Sequence, residues 1–432
     1  MSAMQTLLSC LLFLGVATSI HAQFIVPDRS FRCPASETAC VGLPAHEERV
    51  SQAGNAFVIN YVEYKENGKR WKPKELDDAV DEVENAIGED HQGKALVVVY
   101  IHGWENNADE PPGCQDVCRF RDTLLPHLAD AQAETGHPLK VVGIYLAWRG
   151  LTFTKEPFKH GITYWHRRAV ARHEGETGMY DAVIAIEQAV HPYRKSYVLV
   201  FAGHSFGARV LEHAVDTEHN GRPGFMLEYR RQRKSLAAKQ AAHTLTAEDT
   251  ERLLNPELPA DLILYINAAT SSRVARQTLK DIHAICKKED DPICNTDPFY
   301  VAVTSRADWA TGILMPIANA IFPSLPADRY WLISAANSPS LHTHSVDKPC
   351  NVTSDLLCFP VLSAASSYQE GIAAIPGREQ MAGRQNHPFW IFNVGSEVMN
   401  SHGDVWNLTV TDLVTNIITR HPKFQELSKI AQ

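Results

Sequence analysis

A buried strand, a tight turn and a helix follow one another without a break between residues 196 and 215. An apolar run ends in Gly-His-Ser-Phe-Gly, and Ala-Arg-Val-Leu-Glu-His-Ala-Val follows at once. This G-x-S-x-G turn predicts that Ser205 lies at the tip of a sharp bend, above the first turn of the helix. Gly203 and Gly207 leave room there, because side chains at these positions would collide where strand and helix come close. The alternative is a Ser/Gly turn that only caps an ordinary helix.

Apolar runs of strand length alternate with amphipathic helical segments along most of the chain. The pattern predicts strands at 56–64, 95–101, 139–146, 196–202, 261–266, 299–304 and 389–394. It predicts helices at 74–87, 117–133, 176–190, after Ser205, at 273–285 and at 410–420. Strands buried on both faces and separated by helices are typical of an α/β fold. We therefore expect a mostly parallel central sheet flanked by helices.

Several segments do not fit this alternation. Residues 23–55 are expected to form an extended N-terminal segment, and the main domain is expected over 56–432. Insertions at 150–175, 216–259 and 310–388 interrupt that domain. Long excursions from a compact scaffold often cover a binding site, so we interpret them as lid or cap insertions, with plain surface decoration as the alternative.

The first 22 residues indicate a signal peptide. An apolar run from 7 to 20 is too short to span a bilayer as a helix, and His21-Ala22 before Gln23 is a plausible cleavage site. The segment before that run contains no Lys or Arg, which departs from the usual pattern. We expect a secreted or periplasmic protein with no transmembrane segment in the mature chain.

The cysteines support export independently. Cys10 would leave with the signal peptide, and the eight others form four couples that are close in sequence. Such a set predicts four short-loop disulfides in an oxidising compartment. The couples are Cys33 with Cys40, Cys114 with Cys118, Cys286 with Cys294, and Cys350 with Cys358.

Charge and ligand spacing argue against other classes of partner. The formal net charge of −9 disfavours nucleic acid, whose phosphates need a basic surface. Cys114 and Cys118 lack the second half of a finger-like metal site, and His342 with His344 lacks a third ligand. We predict no metal and no cofactor.

A serine hydroxyl needs a base, an acid that orients the base, and donors for the oxyanion. His402 follows the last predicted strand and is the expected base, while Asp308 follows the preceding strand and is the expected acid. Asp404 is the competing acid, and Asp308 could instead be a helix N-cap. The backbone amides of Phe206 and Trp104 are the predicted oxyanion donors, although packing alone could explain Trp104.

These residues resemble the α/β-hydrolase superfamily in its serine esterase and lipase branch. The resemblance rests on the Gly203–Gly207 turn, on His102-Gly103-Trp104, and on the chain order Ser205, Asp308, His402. It implies a cofactor-free Ser-His-Asp triad that cleaves small-molecule or lipid esters through an acyl-enzyme. The alternatives are a lipase proper, an amidase or peptidase, and a non-catalytic binding module on the same scaffold.

Overall fold

The computed structural model describes residues 30, 32, 46–88, 93–108, 116–133, 139–150, 157–216, 224–254, 258–286, 298–317, 344–346, 372–374 and 388–429. Within these ranges the strands are β1 His46–Val50, β2 Ala56–Glu63, β3 Ala95–Ile101, β4 Lys140–Ala147, β5 Tyr197–His204, β6 Leu262–Ile266, β7 Tyr300–Ser305, β8 His344–Val346, β9 Ile372–Ala374 and β10 Phe389–Val394.

Helices connect most of these strands. Over the same ranges they are α1 Lys74–Ile87, α2 Asp116–Arg119, α3 Leu125–Ala133, α4 Pro157–Glu176, α5 Gly178–Val190, α6 Phe206–Asp216, α7 Phe225–Ala241, α8 Ala247–Leu254, α9 Ser272–Cys286, α10 Leu408–Thr419 and α11 Pro422–Lys429. A π-helical turn, Phe120–Leu124, joins α2 to α3, and another follows β7 at Ala310–Leu314.

The strands form one sheet in the order β1-β2-β4-β3-β5-β6-β7-β10, and the short β8 and β9 extend it beyond β10. Every pairing from β2 to β10 is parallel, whereas β1 pairs with β2 in the antiparallel sense. The chain passes from β3 to β4 on one side and then to β5 on the other. Loops after β3 and β5 therefore diverge, which opens a crevice at the carboxyl ends of these strands.

Both faces of the sheet are buried, as the continuous apolar strands require. Along β3, Val97 and Val99 belong to one core cluster, while Val98 and Tyr100 belong to the other. Helices α1, α5, α6 and α9 contribute to the first cluster, and α3, α10 and α11 contribute to the second. The predicted α/β architecture with a mostly parallel sheet flanked by helices is confirmed.

The predicted strands and helices are confirmed with small shifts at their ends. β5 continues to His204 rather than ending at Ala202, because Gly203 and His204 still pair with Ile101 and Ile266. α10 begins two residues early at Leu408, where the side chain of Asn407 accepts a hydrogen bond from the helix backbone.

The predicted N-terminal segment and insertions are only partly described. β1 lies within 23–55, α4 lies largely within 150–175, and α7 and α8 lie within 216–259. The signal peptide and most of 310–388 fall outside the described residues. Among the residues described, no helix combines the length and apolarity needed to cross a membrane.

Candidate active site

Ser205 occupies the turn between β5 and α6 in a left-handed backbone conformation, with φ of +54°. Its amide donates a hydrogen bond to the Ile266 carbonyl at 3.0 Å, which ties the turn to the end of β6. A Cβ atom on Gly207 would lie 2.1 Å from the Ile101 carbonyl oxygen at the end of β3. The close approach that the sequence predicts for this glycine is therefore present, and the serine conformation is a strained one.

Three side chains from separate loops form a continuous chain of hydrogen bonds. The Nε2 atom of His402 lies 2.6 Å from Ser205 Oγ, although 197 residues separate the two in sequence. Its other ring nitrogen, Nδ1, lies 2.9 Å from Asp308 Oδ2. An ionised Asp308 accepts the Nδ1 proton and leaves Nε2 free to accept the serine proton. The structure thus brings together the residues that the sequence singles out as nucleophile, base and acid.

The carboxylate of Asp308 is both a partner of His402 and the cap of the helical turn after β7. Its Oδ1 accepts the Thr311 amide at 3.1 Å, and its Oδ2 accepts the Thr311 hydroxyl at 2.5 Å. Burial raises the pKa of Asp308, but hydrogen bonds from His402 and Thr311 and the charge of His402 outweigh burial and hold that pKa below its ordinary value. Asp308 can therefore cap this helical turn and bind His402 at the same time.

Asp404, the competing acid, is engaged elsewhere. Its Oδ2 accepts hydrogen bonds from the Asn400 amide at 3.0 Å and from Asn407 Nδ2 at 2.8 Å. Both partners belong to the loop that carries His402, so Asp404 shapes that loop. Of the two carboxylates, Asp308 is the one hydrogen-bonded to the imidazole.

Two side chains that the sequence analysis leaves without a role hold the backbone of His402. Asn267 Nδ2 donates to the His402 carbonyl at 3.0 Å, and its oxygen accepts the Ser305 amide at 2.9 Å. The Nε2 atom of His204 also reaches the His402 carbonyl at 3.0 Å, and its ring centroid lies 5.2 Å from that of His402. Their positions in the sequence could have identified them, since Asn267 directly follows β6 and His204 precedes Ser205.

A buried polar network supports His204 from the other side of the sheet edge. Asp116 Oδ2 lies 3.9 Å from His204 Nδ1, and the carboxylate accepts hydrogen bonds from the Tyr100 hydroxyl at 2.9 Å and from Trp406 Nε1 at 3.1 Å. Burial raises the pKa of Asp116, but the neighbouring imidazoles of His204 and His102 and the Tyr100 hydroxyl outweigh burial and lower it. Asp116 thus provides a buried negative charge beside His204.

The predicted oxyanion donors flank the serine turn. Phe206 is the first residue of α6, so its amide lies among the helix N-terminal donors that no intrahelical carbonyl accepts. A Cβ atom on Gly103 would lie 2.9 Å from Ser205 Cβ, which places the loop after β3 against the nucleophile. The Trp104 ring packs against Phe206 and Tyr164, each at 5.9 Å between centroids. Packing therefore accounts for its side chain, and the donor role of its amide stays a prediction.

His102 fixes the peptide that bears the Trp104 amide. Its Nε2 accepts the Trp148 amide at 3.0 Å, and its Nδ1 donates to the Gly103 carbonyl at 2.9 Å. Burial lowers the pKa of His102 to about 4, so the ring is neutral near neutral pH. Because the N–H of a trans peptide points opposite to its carbonyl, the Trp104 N–H faces away from the His102 ring.

The remaining predicted groups are only partly described. Cys118 and Cys286 are each disulfide-bonded, while the six other cysteines of the four couples and His342 lie outside the described residues. The pairing of these cysteines stays a prediction. Within the part of the chain that the structure describes, no cluster of three or more His, Cys, Asp or Glu side chains could hold a metal ion.

The geometry therefore carries the functional argument. In comparisons with known proteins, no protein-family model matches this chain, and no curated protein matches it significantly.

Proposed function

We propose that this protein is an exported serine hydrolase of the α/β-hydrolase superfamily that cleaves carboxylic esters. The observation that carries the proposal is the hydrogen-bonded series from Ser205 through His402 to Asp308. A buried carboxylate, an imidazole and a strained serine at a helix N-terminus form the arrangement that activates a serine hydroxyl.

In the proposed reaction, Ser205 Oγ attacks the ester carbonyl while His402 Nε2 takes the serine proton. The charge that develops on the imidazole is stabilised by Asp308, which also holds the proton on Nδ1. The amides of Phe206 and Trp104 donate to the oxyanion of the tetrahedral intermediate, and the dipole of α6 favours the same charge. His402 then protonates the leaving alcohol, and water cleaves the acyl-enzyme with the same residues.

The surroundings of Ser205 favour a substrate with an apolar portion. Trp104, Phe206 and Tyr164 form an aromatic cluster beside the nucleophile, with ring centroids 5.4 to 5.9 Å apart. Tyr164 belongs to α4, within the 150–175 insertion. This proximity supports the proposal that the insertion contributes to a lid over the site, and that acyl or alcohol groups pack on these rings.

Export is supported by cysteine chemistry. The disulfide-bonded state of Cys118 and Cys286 fits an oxidising compartment, where such bonds persist. The signal-like apolar run at 7–20 agrees with a secreted or periplasmic location.

Labelling with a fluorophosphonate probe and an ester screen test the proposal. We expect the wild-type protein to be labelled and to cleave p-nitrophenyl esters of graded acyl length, and Ser205→Ala to lose both properties while its melting temperature is retained. Ser428→Ala is the matched control, because Ser428 is also buried but lies on α11 and bonds the Phe424 carbonyl. An unlabelled, correctly folded wild-type protein would favour a binding module, and cleavage of amides but not esters would favour an amidase.

A further inference from the structure

The buried side chain of Arg209, near the proposed nucleophile, has an Nε atom without a hydrogen-bond partner among the described residues. Arg209 lies on α6 with 7% of its surface exposed, and its Nε atom is buried and unpaired within the described structure. No ion pair within 4.0 Å joins its guanidinium to a described carboxylate. An uncompensated buried cation is costly, so such a group is expected to have an anionic partner during function.

Arg209 is placed to act on the contents of the active site. It follows Ser205 by four residues, about one helical turn, and therefore shares the nucleophile's face of α6. Side chains on a helix lean toward its N-terminus, which here is the end that carries Ser205. The electrostatic interaction of Arg209 with Tyr164, whose ring contacts Phe206, agrees with a guanidinium near this end of α6.

The neighbouring helix adds two further groups that suit an anion. α4 packs against α6, and the buried hydroxyl of Tyr164 is unpaired among the described residues while its ring contacts Phe206 at 5.4 Å. Arg168, one turn beyond Tyr164, is half-buried, and its charge acts on both Tyr164 and Arg209. Two guanidinium groups and a phenol hydroxyl are therefore within electrostatic reach of one another near the aromatic cluster.

The carboxylate nearest along the helix does not neutralise this charge. Glu212 accepts a hydrogen bond from the Thr270 hydroxyl, and burial raises the pKa of Glu212 to about 8. Glu212 is therefore largely protonated near neutral pH. Burial, followed by the charge of Arg168, lowers the pKa of Arg209 to about 10, so that group stays a cation.

We propose that Arg209, with Arg168 and the Tyr164 hydroxyl, binds a negatively charged group of the ester substrate, a carboxylate or a phosphate. Planar guanidinium groups pair with both kinds of oxyanion through two parallel hydrogen bonds. This inference rests on the proposed ester hydrolysis, and it narrows the substrate to esters that carry an anionic group.

Matched pairs of esters test the proposal and locate the anion. In the first pair, monomethyl adipate carries a carboxylate on the acyl side and methyl hexanoate is its neutral counterpart. In the second pair, monohexanoylglycerol phosphate carries a phosphate on the alcohol side and monohexanoylglycerol is its neutral counterpart. We expect the anionic member of at least one pair to have the higher kcat/KM. Arg209→Met should lower that anionic-to-neutral ratio by about tenfold or more. Arg172→Met is the control, because Arg172 lies one turn beyond Arg168, is exposed and pairs with Glu176 at 2.7 Å.

A binding measurement separates this inference from the proposed catalysis. Calorimetric titration with adipate and with inorganic phosphate should give an affinity that Arg209→Met weakens by about tenfold or more and that Arg172→Met retains. Equal binding by wild type and Arg209→Met would refute the anion site while leaving ester hydrolysis intact. So would anionic-to-neutral ratios of kcat/KM that are near unity and unchanged by the substitution. If no ester is cleaved, the proposed function fails and the titration still decides the site.

The melting temperature of Arg209→Met separates a role in anion binding from a structural role for Arg209. Removing an unpaired buried charge should leave the melting temperature of the anion-free Arg209→Met protein equal to or above that of wild type. A clearly lower value would show that the guanidinium has a stabilising partner within the protein, and would refute the proposal.

Discussion

Replacing Asp308 with asparagine should reverse the tautomer of His402. In the structure, Oδ1 of Asp308 accepts the Thr311 amide, while Oδ2 faces His402 Nδ1. The Thr311 amide can only donate, so the single oxygen of an asparagine will take the Oδ1 position. Its NH₂ group then donates to Nδ1 of His402, which moves the imidazole proton to Nε2, where it blocks acceptance of the proton from Ser205.

The size of the effect follows from the loss of the base. In serine hydrolases with this arrangement, the wrong tautomer lowers kcat by about 10⁴, equivalent to about 5.4 kcal/mol of transition-state stabilisation. Global stability should change far less, because the asparagine is nearly the same size and keeps the Thr311 cap. KM should also change little, since Asp308 lies behind the imidazole and away from the acyl group.

The assay is steady-state hydrolysis of a neutral p-nitrophenyl ester, together with the rate of fluorophosphonate labelling and a melting curve for each variant. Asp404→Asn, in the loop that carries His402, is the matched control and should retain kcat within about threefold, because an asparagine oxygen can still accept from Asn400 and Asn407. Activity of Asp308→Asn within about tenfold of wild type, or an equal loss in Asp404→Asn, would refute the assignment of the acid.

Three further substitutions probe the support of the site and the core. His204→Leu removes a hydrogen bond to the His402 carbonyl and should lower kcat by roughly tenfold with little change in KM; an unchanged kcat would assign loop positioning to other contacts. Gly207→Ala places a Cβ atom 2.1 Å from the Ile101 carbonyl, so chemical denaturation should show a loss of about 3 kcal/mol or more, and a native-like midpoint would contradict the close approach. Burial raises the pKa of Asp216 to about 7, so the folded protein retains a proton that the unfolded chain releases, and stability falls as pH rises through the window from about 4 to about 7. Asp216→Asn should reduce that fall between about pH 4 and about pH 7 in urea unfolding, and an identical pH dependence would refute the shift.

The order of elements was predictable because it depends on local patterns. The apolar run at 95–101 coincides with β3, and the helical spacing at 74–87 coincides with α1, since burial on one or both faces leaves its period in the sequence itself. The Gly-His-Ser-Phe-Gly turn was also readable, because steric limits on the bend select glycine at fixed positions.

The supporting residues of the site were not predictable in the same way. Nothing in the residue types of Asn267 and His204 assigns them to the site. Their shared contact with the His402 carbonyl depends on how three loops meet, and residue type alone carries no signal for it. The burial of Arg209 Nε without a partner among the described residues is likewise visible only once α4 packs on α6.

The amino-acid sequence determined where strands and helices begin, which serine stands at the bend, and which loops could supply a base and an acid. It could do so because hydrophobic period and turn chemistry act over a few residues. Only the tertiary structure decided that Asp308 rather than Asp404 meets the imidazole, and that Arg209 Nε is buried without a hydrogen-bond partner among the described residues. Those outcomes arise from parallel strand register, which joins groups separated by 94 and 197 residues at one edge of the sheet.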